Sequence, residues 1–200
     1  MRILIIGGEG TIGRRVAAHF MQEHEVIVAG RSSEHYKVDI ANPHAITSLL
    51  DRVGSFDAMI CAAGEAKWAP FAELSEEDYY IGINSKLMGQ VNLVRIGRSY
   101  LQKGGSITLT TGILADDPVP QTASAAMVNG AIHSFVKAAA LEMTDGMRIN
   151  VVSSGVVADA YAKYKDYFPG YPSISMERMT LGYVRSVMGK GNGEIIRIYE

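Results

Sequence analysis

The amino-acid sequence predicts an α/β protein: a Rossmann-type doubly wound parallel sheet of about seven strands between two layers of helices. Three observations carry this. Short β-branched apolar runs alternate with stretches of helical periodicity from end to end. The first run, Ile3 to Ile6, stops in a glycine-rich turn that opens a helix. No repeat, linker or low-complexity tract interrupts the 200 residues, so a single domain over 1–200 is expected.

The elements follow in order. Ile3 to Ile6 reads as a buried parallel strand, ended by Gly7. Ile12, Val16, Phe20 and Met21 then recur at helical spacing. Glu25 to Ala29 is a second strand, and Lys37 to Asp39 a short third. Asn42 is placed to cap a helix that has Pro43 at its first position and runs to about Val53. Ala58 to Ala62 is the fourth strand. A long helix opens near Ser75, with Glu77 and Asp78 in its first turn and Leu87, Val91 and Val94 on one face. Ser106 to Thr110 is the fifth strand, and Ile132, Phe135, Val136 and Ala139 mark the helix after it. Arg148 to Val152, a helix around Glu177 to Met188, and a last strand, Glu194 to Ile198, complete the pattern. Ala158 to Ser173, rich in Tyr, Lys, Pro and Gly, reads as a loop or lid.

Composition narrows the function classes. A net charge of −2 gives no basic footprint for nucleic acid or an anionic membrane surface. The single cysteine, Cys61, forms no intramolecular disulfide, which suits a cytoplasmic protein. No apolar stretch has the length of a signal peptide or membrane span, and the five histidines lack metal-ligand spacing, so neither a membrane nor a metal is expected.

The strongest motif is IIGGEGTIGRR, a strand, a turn and a helix start. Gly7 supplies a tight turn, Gly10 close backbone approach to a pyrophosphate, and Gly13 close packing of helix on strand. The helix start, with Thr11 and Ile12, presents free N–H groups to the phosphates. The end of the second strand separates the two nicotinamide cofactors. An acidic residue there would hold an NAD ribose; the sequence instead has Arg31 and Ser32, suited to the 2′-phosphate of NADP. The expected cofactor is NADP(H), ahead of NAD(H).

Further motifs resemble the short-chain dehydrogenase/reductase superfamily over nearly the whole chain. Asp39 in KVDI resembles the aspartate that contacts the adenine. Cys61-Ala62-Ala63-Gly64 resembles Asn-Ala-Ala-Gly, which places Ala62, Ala63 and Gly64 at the cofactor. PFAELSEEDYYIGINSKLMGQVNLV resembles the family's fourth helix, with Asn84 on its catalytic asparagine. GGSITLTTG resembles the strand leading to the catalytic serine, and RINVVSSGVV the sixth strand, with Ser154 replacing Pro. GNGEIIRIY resembles the last strand.

The resemblance implies a tyrosine that exchanges the substrate proton, a lysine four residues later and a serine that orients the carbonyl. SFVKAAALEM anchors the helix and puts the tyrosine position at Ala125, the lysine at Asn129 and the serine at Gly112. The ordinary relay therefore cannot run. Thr111, Asn129 and Asn84 are the remaining candidates for catalysis; Tyr161 and Tyr164 are proton donors only if the lid brings them in, and a solvated face is the simpler reading of both. Cys61 and His133 read as packed residues, Asp116 and Asp117 as turn residues, and Trp68, Pro70 and Phe71 as an apolar cluster at a pocket or helix start.

Two functions stay open. One is an NADP-dependent oxidoreductase acting on a small carbonyl or alcohol with a rearranged proton relay. The other is a non-catalytic NADP(H)-binding redox sensor or partner subunit. The resemblance also implies pairing through the helices near 75–98 and 121–143, as a homodimer or homotetramer; the small residues Ala125, Ala126, Gly130 and Ala131 permit close approach.

Overall fold

The computed structural model describes residues 1–200. Six parallel strands form one sheet: β1 (Arg2–Ile6), β2 (Glu25–Ala29), β3 (Phe56–Cys61), β4 (Leu101–Gly112), β5 (Arg148–Ser154) and β6 (Ile195–Ile198). Their spatial order is β2-β1-β3-β4-β5-β6. The chain steps outward from β1 to β2, then crosses back over β1 to build the rest of the sheet on its other side. This reversal opens a crevice above the C-terminal ends of β1 and β3, where ligands of such sheets bind.

Helices cover both faces. On one side α2 (Pro43–Val53), α4 (Met88–Gly97) and α5 (Ala123–Ala140) bury Ile46, Leu50, Leu93, Ile132 and Val136 against Leu4, Met59 and Leu109. On the other, α1 (Thr11–Phe20) and α7 (Met176–Met188) bury Val16, Phe20, Tyr183 and Val187 against Ile3, Ile5 and Ile60. Strand side chains alternate between the faces. Along β4, Thr108 bonds Ser186 and Thr110 bonds Tyr183, both on α7, while Thr111 bonds His133 on α5.

Local signals set the helix starts. The Asn42 side chain accepts from the backbone N–H groups of His44 and Ala45, with Pro43 following. Ser75 and Asp78 form a capping box at α3 (Glu76–Gly82).

Three sequence expectations are corrected. The sheet has six strands, since Lys37 to Asp39 makes only one bridge, between Gly30 and Lys37. Val38 is still buried, but the Asp39 side chain accepts from Ala41 N–H and turns the chain away before a ladder extends. The helix from Ser75 is continuous in path but holds a π-helical turn, Ile83–Leu87, between α3 and α4. The segment 158–173 contains a helix, α6 (Ala158–Tyr164), and a 3-10 turn, Lys165–Tyr167. No helix is long and apolar enough to cross a membrane.

Candidate functional site

Two adjoining cavities run along the crevice. The smaller, about 210 Å³, is lined by Gly7, Gly10, Arg31, Ser32 and Asp39 among others. The larger, about 810 Å³, lies over the ends of β3, β4 and β5. Ala62, Ala63, Gly64 and Glu65 line both, so the two form one groove bent around the loop after β3.

The glycine loop is shaped for close approach. Gly7 adopts φ +80°, and a Cβ there would stand 3.0 Å from the Ala62 carbonyl. A Cβ on Gly13 would fall 2.1 Å from the Gly7 carbonyl oxygen, so only glycine lets α1 start this near the loop. Gly10 precedes α1 with no side-chain cap. Thr11 and Ile12 open the helix and line the larger cavity, so the free N–H groups of a helix start lie beside it, as an anion site needs.

Arg31 and Ser32 stand at the far rim of the smaller cavity. The Arg31 guanidinium donates to both carboxylate oxygens of Glu65, at 3.0 and 3.3 Å, and Ser32 donates to Glu9. The Glu65 pair raises the Arg31 pKa. Both side chains are mostly exposed, so the ion pair opens at little cost.

The larger cavity gathers the positions where the resemblance implies catalysis. Gly112, Ala125 and Asn129 all line it, as does Thr111. Thr111 Oγ1 lies 2.8 Å from His133 Nε2, and burial holds the His133 pKa below its usual value. The Asn129 side-chain oxygen and the Ser124 hydroxyl, both buried on α5, have no hydrogen-bond partner. Asn84 does not join this group: it is exposed and lines neither cavity, because the π-helical turn points it outward.

Lys86, on that same π-helical turn, does line the larger cavity. Loss of hydration lowers its ammonium pKa, partly offset by the Cys61 thiol. Gly64 adopts φ +119°, and a Cβ on it would come within 2.8 Å of Lys86 Cα, so the loop after β3 packs on the lysine stem. One turn further, buried Gln90 donates to Thr110 O at 2.9 Å and accepts from Thr110 N–H at 3.1 Å, which fixes the end of β4. Neither residue was identified from sequence. The available signal was a polar pair at i and i+4.

An aromatic wall closes the other side. Trp68, Tyr164, Tyr167 and Phe168 line the cavity, with the Trp68 ring 5.4 Å from Tyr164 and 5.6 Å from Tyr167. Phe71 stands apart and is exposed, so the expected cluster of Trp68 with Phe71 does not form. Tyr161 does not line the cavity and turns toward the Tyr171 carbonyl instead. Burial raises the Cys61 pKa to about 11, so the thiol stays protonated and unreactive. Asp116 does more than cap a turn: it accepts from Arg197 and Tyr199, and Arg197 pulls its pKa down to about 2.

The family description "enoyl-(acyl carrier protein) reductase" matches residues 12–185. The chain is 27% identical over 148 residues to hydroxynaphthalene reductase arp2 of Aspergillus fumigatus, covering 70% of this chain and 54% of that protein. It is 26% identical over 167 residues to the hydroxynaphthalene reductase-like protein Arp2 of Metarhizium anisopliae, covering 79% and 62%. The chain thus spans 54% to 62% of the length of these two curated relatives. Among solved structures it is similar to the protein lin1944 from Listeria innocua, at TM-score 0.97 and 42% identity over 100% of both chains. It is also similar to a small-chain dehydrogenase in complex with NADPH, at TM-score 0.89 and 26% identity, covering 99% of this chain and 96% of that one.

Proposed function

The chain belongs to the short-chain dehydrogenase/reductase superfamily, and from that premise we propose that it is an NADP(H)-dependent oxidoreductase acting on a small carbonyl or alcohol, as a single domain over residues 1–200. The observation that carries this reading is the bent groove. A helix start without a side-chain cap lies at its middle, Arg31 and Ser32 at one end, and a cavity with hydrogen-bonding groups at the other.

The groove fits the cofactor. Gly7 and Gly13 let the loop and α1 pack against each other more closely than any Cβ would allow, which brings the N–H groups of Thr11 and Ile12 to the crevice where a pyrophosphate would lie. Arg31, released from Glu65, would hold the 2′-phosphate as a bidentate fork, with Ser32 beside it. Asp39 would accept at the adenine rim, and Ala62, Ala63 and Gly64 would carry the chain of contacts into the larger cavity. Bound there, NADP(H) supplies hydride chemistry. The protein's part is to orient a carbonyl, through the Thr111 hydroxyl and Asn129, and to exclude water with the aromatic wall. Consumption of NADPH with a panel of small ketones and quinones tests the reading; no turnover with any of them contradicts it.

One observation favours a second reading. Ala125 puts a methyl group where the family tyrosine would stand, as a non-catalytic NADP(H)-binding sensor or partner subunit would allow. Tight NADPH binding without turnover would select it. Either protein is expected to pair. Tyr80, Ile81 and Met88 near the π-helical turn and Met127 on α5 are exposed apolar side chains on the helices the resemblance assigns to pairing. Sedimentation is expected to give a dimer or tetramer, and a micromolar monomer would refute the pairing.

A further inference from the structure

We propose that Lys86 is the proton donor of this site, its ammonium protonating the oxygen of a bound carbonyl as the carbonyl carbon is reduced. The proposal rests on the NADP(H) reading above.

Three observations carry it. First, Lys86 is the one cation of the larger cavity that is not exposed. Lys67 and Lys163 also line it, but both stand at the open rim, and Lys67 is 3.9 Å from Asp78. Second, the stem of Lys86 is held. Gly64 packs close to its Cα, Cβ and Cγ, so the loop after β3 flanks the base of the side chain. Third, the cavity has lost the ordinary donor while keeping acceptors. Ala125 and Gly112 carry no proton, and the Asn129 oxygen is buried and unpartnered.

The other ionisable groups facing this space do not substitute. From β3, Cys61 is buried beneath and held protonated. From the loop after β3, Glu65 is engaged with Arg31. From α6 and the turn after it, Tyr164 and Tyr167 form the wall opposite. From α5, His133 stands behind Thr111 and reaches the cavity only through that hydroxyl. A desolvated lysine with a lowered pKa gives up its proton more readily than an exposed one, and the same burial that lowers it strengthens its attraction to an oxyanion.

The step balances. Bound NADPH supplies a hydride to the carbonyl carbon and is oxidised to NADP⁺. The carbonyl π pair moves onto oxygen, an O–H bond forms there, and an Nζ–H bond of Lys86 breaks. The neutral amine is reprotonated by water through the cavity mouth. In alcohol oxidation the neutral amine accepts the proton.

The test uses the full chain labelled with ¹³C at lysine Cε, with Lys86→Met to assign the signal and Lys86→Arg to keep the charge. The Lys86 signal is expected to titrate below the ordinary lysine value and to shift when NADP⁺ is added. In turnover, Lys86→Met is expected to lose about 10²- to 10⁴-fold in kcat, with KM for NADPH changed far less. The wild-type rate of reduction should fall as pH rises through the Lys86 titration, and Lys86→Arg should lose that limb. A Lys86 signal that titrates at the ordinary lysine value, or that stays unmoved while calorimetry shows NADPH bound, overturns the proposal and leaves the cofactor reading standing. Absence of NADPH binding overturns both.

Discussion

Replacing Arg31 by alanine separates NADPH from NADH, and the size of the effect follows from the groove. A bidentate guanidinium–phosphate contact contributes about 2–3 kcal/mol, near the upper end for charged hydrogen bonds. In the free protein Arg31 already holds Glu65, with the two side chains 65% and 52% exposed. That exposed pair stabilises by about 0.2–1 kcal/mol, and binding forfeits it. The net loss in Arg31→Ala is therefore about 1–3 kcal/mol, or roughly 5- to 150-fold in NADPH affinity. NADH lacks the 2′-phosphate and should change by less than about twofold, since the other contacts lie at the glycine loop. Glu65→Gln acts in the opposite sense. It frees Arg31 and removes a carboxylate facing the phosphate, so NADPH should bind up to about fivefold tighter. Calorimetric titration of both variants with both nucleotides is the assay. Equal weakening of NADPH and NADH in Arg31→Ala would refute the assignment of Arg31 to the 2′-phosphate.

Three further outcomes are expected. Gly64→Ala combines an unfavourable φ of +119° with a Cβ 2.8 Å from Lys86 Cα, and should cost about 2–5 kcal/mol in urea unfolding; an unchanged midpoint would contradict the packing described. Tyr183→Phe leaves Thr110 bonded to the Cys61 carbonyl but removes the 2.7 Å contact between the two hydroxyls, at about 1 kcal/mol by the same assay; no loss would mean that hydrogen bond adds nothing. Acid should destabilise the fold in two stages. Burial holds the His133 pKa down in the folded protein, so stability falls once pH drops below the ordinary histidine value and the unfolded chain takes up a proton more readily. Asp116 stabilises above the ordinary aspartate pKa, and that contribution is lost as pH falls toward about 2. His133→Gln should abolish the upper stage in melting temperature against pH, and its persistence would assign that stage elsewhere.

The glycine loop and the narrower arm of the groove were legible in the sequence because their requirements are local. Gly7, Gly10 and Gly13 act within one turn, and Arg31 lies two residues past β2. The helix caps Asn42 and Ser75 were legible for the same reason. The third strand was misread because Lys37 to Asp39 has strand composition, while its pairing depends on where Asp39 turns the chain. Lys86 and Gln90 were missed because their roles depend on a π-helical turn, which shifts the face a side chain presents and which no periodicity in the sequence marks. The same turn moved Asn84 outward. His133 was read as packed, and it is buried; its bond to Thr111 depends on α5 crossing the end of β4, a long-range fact.

The central claim, that NADPH lies along this groove with its nicotinamide end in the larger cavity, has a built-in reporter. Trp68 is the only tryptophan in the chain and lines that cavity. Titration with NADPH, exciting Trp68, is predicted to give saturable quenching of its emission with matching growth of nicotinamide emission, and excess NADP⁺ should reverse both. Unchanged Trp68 emission at NADPH concentrations that calorimetry shows to saturate the protein would place the cofactor elsewhere and contradict the account.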